Sequence, residues 1–163
     1  MYKFSWDERM VGISLGVVGV MVGLVQGVLI RWINPRIGDQ KSIYYGLALY
    51  AIGMLLYAFA STGWMMLAFT IPYCLGGICG PALQAVITKS VDANQQGELQ
   101  GALTSLMSAT AIIGPPLMTQ LFYYFTHNEA PFVFPGAPFF LAFVLMAISI
   151  FVVKSAFEKN RNK

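Results

Sequence analysis

Residues 75–116 read LGGICGPALQAVITKSVDANQQGELQGALTSLMSATAIIGPP. Two long apolar segments, each holding a Gly-Pro step, flank a short polar link from Lys89 to Glu98. In an aqueous helix an interior Gly or Pro costs roughly 1 or 3 kcal/mol against Ala. In a bilayer both are tolerated, because neighbouring helices re-satisfy the backbone and small residues let helices approach closely. The stretch therefore reads as a membrane helical hairpin with a bend in each arm, at Gly80 and Pro81 and at Gly114, Pro115 and Pro116.

The whole composition agrees with that reading. The 163-residue chain is 57% hydrophobic and only 10% charged, against roughly 25% charged in soluble domains. A soluble domain of this size has no interior large enough for so much apolar surface, so the chain is an integral membrane protein. The net charge of +3 is small and sits in the links, which gives no reason to invoke nucleic acid. Cys74 and Cys79 lie in one apolar run and read as buried, inert thiols.

Working outward from the hairpin, hydropathy predicts an all-α membrane protein with spans at 11–30, 42–60, 64–88, 99–126 and 139–153. In the first span Gly12, Gly16, Gly19, Gly23 and Gly27 recur at three- and four-residue steps and form one stripe for close helix packing. Gln26 lies beside it, either lining a solute path or bonding between helices. The second span sets Gly46, Tyr50, Gly53 and Tyr57 on one face, where the hydroxyls require protein or water rather than lipid. In the third, Gly77, Gly80 and Gln84 share a face, with Tyr73 one turn back. Asp92 or Asn94 is expected to cap the fourth span, with Glu98 in its first turn. Its Gly101, Ser105 and Ser108 offer a small-residue face.

The links carry the charge. RWINPRIGDQKS (31–42) reads as a solvated loop, the HNEAPFVFPGAP link (127–138) as an interfacial one, and Tyr2, Phe4 and Trp6 suit the headgroup layer. His127 is the sole histidine and is expected in solvent. Acids and bases cluster on no span, no metal-ligand spacing occurs, and the glycines do not form phosphate loops, so neither an enzyme nor a cofactor or metal site is expected. Lys and Arg fall mainly in the 31–42 link, the 89–98 link and the tail, leaving only Lys3 and Arg9 on the other side. The positive-inside bias then places the N-terminus outside and the C-terminus in the cytoplasm.

The words GGICGPALQA, KSVDANQQGELQGALTSL and IIGPP resemble the second half of major facilitator superfamily transporters, in the tetracycline-efflux-like branch of drug:proton antiporters. The resemblance runs from about Phe4 to Val153. It implies helices eight to twelve of a twelve-helix fold in a bacterial inner membrane, exporting small molecules against protons by alternating access together with the missing N-terminal helices. In that frame Gln26, Tyr50 and Gln84 are the candidate substrate-pathway residues. The 31–42 link resembles the superfamily loop signature G-x-x-x-D-R-x-G-R-[RK], represented here by Arg36, Gly38, Asp39 and Lys41. Arg36 and Gly38 match it, Pro35 stands where the signature has Asp, and Asp39 and Gln40 replace its basic pair. Tyr50 stands where tetracycline exporters carry an essential acid, and Val22 where their eighth-helix histidine falls. Both departures argue against a tetracycline–metal substrate. No span carries a charge in its central part, so a coupling carboxylate is expected in the missing helices, and the chain is not expected to transport alone. A different reading is a small stand-alone membrane protein that scaffolds a partner through the glycine stripe.

Overall fold

The computed structural model describes residues 7–127 and 133–161. The expected interfacial aromatics Tyr2, Phe4 and Trp6, and much of the 127–138 link, lie outside them. Among the described residues five helical runs are long and apolar enough to cross a membrane: Glu8–Ile37, Asp39–Phe59, Gly63–Lys89, Ala93–Tyr124 and Ala137–Lys159. The first contains α1 (Glu8–Leu24), a π-helical turn (Val25–Leu29) and α2 (Ile30–Ile37), and the second is α3 (Asp39–Phe59). The third is split into α4 (Gly63–Gly76) and α5 (Cys79–Lys89). A 3-10 turn (Ala93–Gln95) leads into α6 (Gln96–Tyr124), and α7 (Ala137–Arg161) closes the set.

Three details differ from the sequence reading. The 31–42 link is not a loop: the first helix continues to Ile37 and the third begins at Asp39, with only Gly38 between them. Gly38 adopts φ 85° and ψ 156°, a region open essentially to glycine alone. One such residue reverses the chain where several had been expected. Secondly, neither Asp92 nor Asn94 caps α6 through its side chain; Asp92 instead accepts from Gln95 N–H through its carbonyl, at 2.9 Å. A 3-10 turn supplies the entry geometry that a capping side chain would otherwise provide. Thirdly, of the two expected bends only one is a break. The third span interrupts at Gly77 and Ile78, whose N–H groups turn back to Cys74 and Leu75 carbonyls at 3.0 and 3.3 Å. That is one turn before Pro81, where the proline ring would crowd the Gly77 carbonyl. α6 runs unbroken through Gly114, Pro115 and Pro116. The difference lies upstream: Gly76 and Gly77 yield easily, whereas Ala111, Ile112 and Ile113 hold the helix.

α3 is the centre of the bundle, packed on α4, α5 and α7, while α1 lies on α4 and α6 touches α7. Ile43, Leu47, Cys79 and Ala82 form one core, with Val86, Met146, Ile150 and Phe157 against it. Val25, Cys74 and Ile78 form a second, where the π-helical turn meets α4 and the start of α5. Both cysteines are buried and unpaired.

The links alternate between the two ends, as an up-and-down bundle requires. At one end Lys89 reaches Asp39 across the α5 and α3 termini at 2.7 Å. At the other, the Phe59 and Phe134 rings lie 5.9 Å apart, and Gly136 sits directly against the Ala58 backbone. His127 closes α6 there: its Nδ1–H donates to the Tyr124 carbonyl at 3.1 Å and its ring stacks on Tyr123 at 5.2 Å. The histidine expected in solvent thus satisfies a helix terminus.

Candidate functional site

The tyrosine face of α3 becomes the seam with α4. Spaced seven residues apart, Tyr50 and Tyr57 stand two turns apart on one side of the helix. The Tyr73 ring lies between them, 5.1 Å from Tyr50 and 5.7 Å from Tyr57. Tyr57 also meets Phe139 of α7 at 5.5 Å, and its hydroxyl hydrogen-bonds Thr70 Oγ1 at 2.8 Å. Thr70 Oγ1 in turn donates to the Met66 carbonyl at 3.0 Å, so the chain of bonds runs Tyr57 to Thr70 to backbone. The result is a polar and aromatic ladder inside an apolar bundle, with the Tyr57 and Thr70 hydroxyls satisfied where hydrocarbon offers no partner.

The three pathway candidates are placed differently. Tyr50 is half-buried in that seam, against Tyr73 and the backbone of Gly76. Gln26 is exposed on the π-helical turn and Gln84 is exposed on α5. The π-helical turn had no signal in the sequence beyond Gly27 within it. Such turns recur at functional positions because they re-aim the residues that follow. Beside it is an apolar hollow of about 280 Å³ between Met21, Leu24, Val25, Val28, Leu29 and Leu75.

The loop-signature residues meet at the Gly38 reversal. Asp39 binds Lys89 at 2.7 Å and accepts from Asn34 Nδ2 at 3.3 Å, so one carboxylate ties α2, α3 and α5 together. Lys89, fifty residues away in sequence, was not foreseen as its partner. Arg36 turns away from Asp39 and places its guanidinium 5.3 Å over the Trp32 ring. Gly38, Asp39 and Lys41 line a hollow of about 410 Å³ with Ile37, Gln40 and Val86. A second, of about 340 Å³, lies between the α5–α6 link and α6, lined by Val91, Gln95, Glu98, Leu99 and Ala102. Among the described residues no group of His, Cys, Asp and Glu is arranged to hold a metal ion.

A bundle with this helix pattern, a one-residue reversal between its first two spans and Gly-Pro steps in two others is matched, over residues 1–163, by the family model of the Major Facilitator Superfamily. The chain belongs to the major facilitator superfamily. Among its relatives are the tetracycline resistance protein of class C from Escherichia coli, 40% identical over 74% of this chain and 30% of its own length, and that of class G from Vibrio anguillarum, 36% identical over 74% and 30%. The hippocampus abundant transcript 1 protein of Mus musculus is 30% identical over 76% of this chain and 25% of its own length. The chain thus spans less than a third of the length of these relatives. No solved structure gives a significant match.

Proposed function

We propose that these helices are helices eight to twelve of a proton-coupled exporter of small molecules or drugs in a bacterial cytoplasmic membrane. In this reading they move substrate only together with further helices of the same transporter. One observation carries the proposal: nothing lies within 4 Å of where a side chain would begin at Gly12, Gly16, Gly19, Gly23 or Gly27. A stripe of small residues makes sense against another helix, and among the described residues none lies against it. α1 and α6 contain no buried residue at all. Family membership and the tetracycline resistance relatives supply the transport class.

Facilitator folds work by rocking one bundle against another around a midplane site. Here Gln26, Tyr50 and Gln84 contribute one wall of that site. The span interiors hold no carboxylate, so the proton carrier belongs to the partner helices. Tyr50 and Val22 in place of an acid and a histidine turn the substrate away from a tetracycline–metal complex. Arg31, Arg36, Lys41 and Lys89 gather at the Gly38 end, and the positive-inside bias supports a cytoplasmic position for that end with the start of α1 outside.

The test is to express the 163 residues in an exporter-deficient strain and follow efflux of several fluorescent drugs. No saturable efflux is expected from the chain alone, and recovery is expected on co-expression with the first seven helices of a relative. Proton-gradient-dependent efflux from the lone chain, abolished in Gly23→Leu, would overturn the proposal.

A further inference from the structure

The first helical run is longer than a bilayer requires. Its 30 residues extend about 45 Å at a rise of 1.5 Å each, against a hydrocarbon core of about 30 Å. From Met10 to Ile30 it carries no charge, a stretch that by the same rise fills the hydrocarbon. The boundary therefore falls at Arg31, and α2 stands in the headgroup layer. α2 turns Ile30 and Ile33 inward, onto the Val25, Cys74 and Ile78 cluster. Its opposite side leaves Arg31, Trp32 and Arg36 exposed, with Trp32 64% exposed and Arg36 stacked over it at 5.3 Å. Lys41 is exposed just past the reversal, and Asp39, the carboxylate of this junction, is already engaged by Lys89 at 2.7 Å.

We infer that the outer face of α2, Arg31, Trp32 and Arg36 with Lys41 beside it, holds the phosphate headgroup of an anionic phospholipid from the surrounding leaflet. Topology alone calls for cations and interfacial aromatics here, but not for a guanidinium stacked on the indole. A phospholipid uses both. Guanidinium forks match phosphate oxygens in pairs, and an indole at headgroup depth packs on the glycerol region while its N–H stays in the polar layer. The stack on Trp32 also holds the Arg36 fork in place. This assignment concerns the lipid around the bundle and requires that the helices added by the transport reading leave the outer face of α2 open.

The probe is Trp32 fluorescence in the full chain carrying Trp6→Phe and Trp64→Phe, reconstituted in bilayers with lipids brominated near the glycerol backbone. At equal mole fraction, brominated phosphatidylglycerol is expected to quench Trp32 more strongly than brominated phosphatidylcholine, with a binding ratio on the order of five. The Arg31→Gln, Arg36→Gln pair is expected to bring the ratio to about one, and Arg31→Lys, Arg36→Lys to keep part of it. Circular dichroism shows whether helicity matches across the set. Equal quenching in the parent, or an unchanged ratio in the glutamine pair, would overturn the assignment. Loss of the ratio on adding millimolar inorganic phosphate at constant ionic strength would assign the face to free phosphate instead.

Discussion

Two sets of glycines fall at helical spacings in the sequence, three and four residues apart in the first span and seven apart at Gly46 and Gly53, and have opposite surroundings in the bundle. At Gly46 an added Cβ would lie 2.6 Å from Cys79 Cβ and 2.9 Å from the Gly76 carbonyl; at Gly53 it would lie 2.9 Å from Tyr73 Cα. At Gly76 it would come within 2.8 Å of the Tyr50 backbone nitrogen. Along α1 and the π-helical turn that follows it the five stripe glycines meet nothing within 4 Å. The α3–α4–α5 seam is therefore a finished interface, in which glycine is required by the backbone opposite. The α1 stripe is an interface with one side present. Spacing alone cannot separate the two cases, because both ask for the same residue.

The largest effect expected is at the finished seam. Gly76→Val would meet the Tyr50 Cγ at 2.7 Å and the backbones of Tyr50 and Gly46 at 2.8 and 2.9 Å, none of which is the free end of a side chain that could swing aside. Overpacking of this kind costs about 1–3 kcal/mol, and more where the obstacle is backbone. Unfolding of the chain in mixed micelles, followed by helicity against added dodecyl sulfate, should show a midpoint well below that of the parent. An unchanged midpoint would mean that α3 and α4 are not locked together here.

A smaller effect is expected for Tyr57→Phe. The ring contacts with Tyr73 and Phe139 survive, and only the 2.8 Å bond to Thr70 is lost. Thr70 still donates to the Met66 carbonyl, so no buried hydroxyl is orphaned and the loss should be about 0.5–1 kcal/mol. The Thr70→Val change combined with it should add little, because the two groups act as a pair. A double-mutant cycle on the same unfolding assay checks this.

Smaller still is Asp39→Asn. The Lys89 side chain of the ion pair is 71% exposed and that of Asp39 26% exposed, and pairs of this kind contribute about 0.2–1 kcal/mol. The remaining amide can still meet Asn34. The effect should shrink between low and high salt, since screening acts on exposed charges. A salt-independent loss would place the role of Asp39 in its bond to Asn34 rather than in the ion pair.

How much was legible follows the same division. The five spans were visible because twenty apolar residues in a row have few other uses. The tyrosine face of α3 was visible because Gly46, Tyr50, Gly53 and Tyr57 repeat at helical spacing and carry hydroxyls that lipid cannot satisfy. The one-residue reversal was hidden, because the charged run around it looks like a loop and only backbone angles reveal that Gly38 does the work alone. The π-helical turn at Val25–Leu29 was hidden for a related reason: it changes hydrogen-bond register without changing residue type. Asp39 and Lys89 were each read within their own link, since no local pattern connects residues fifty positions apart. Of the pathway candidates, the sequence offered Gln26, Tyr50 and Gln84 as polar groups in apolar spans, which says what they need and not where they meet it.

The smallest effect expected on stability is also the sharpest test of the comparison, at the α1 stripe. Gly19→Leu and Gly23→Leu place bulk where nothing stands within 4 Å, so in the chain alone neither should destabilise by more than about 0.5 kcal/mol. Replacing glycine with leucine inside a helix even recovers some helix propensity, up to about 0.8–1 kcal/mol in water, so a slight gain is as acceptable as no change. The same two substitutions should be severe in a co-expressed assembly with the remaining transporter helices, because a leucine forces apart backbones that glycines let touch. Co-purification of the two pieces, measured for Gly19→Leu, Gly23→Leu and an off-stripe control such as Val17→Leu, reads the contrast directly. Val17 is 39% exposed and already bulky, so it should pair as the parent does. Loss of pairing in the stripe variants alone would give the stripe its missing side. Equal pairing in all three would mean that the glycines of α1 serve no helix contact, and the likeness between the two sets would end at their spacing.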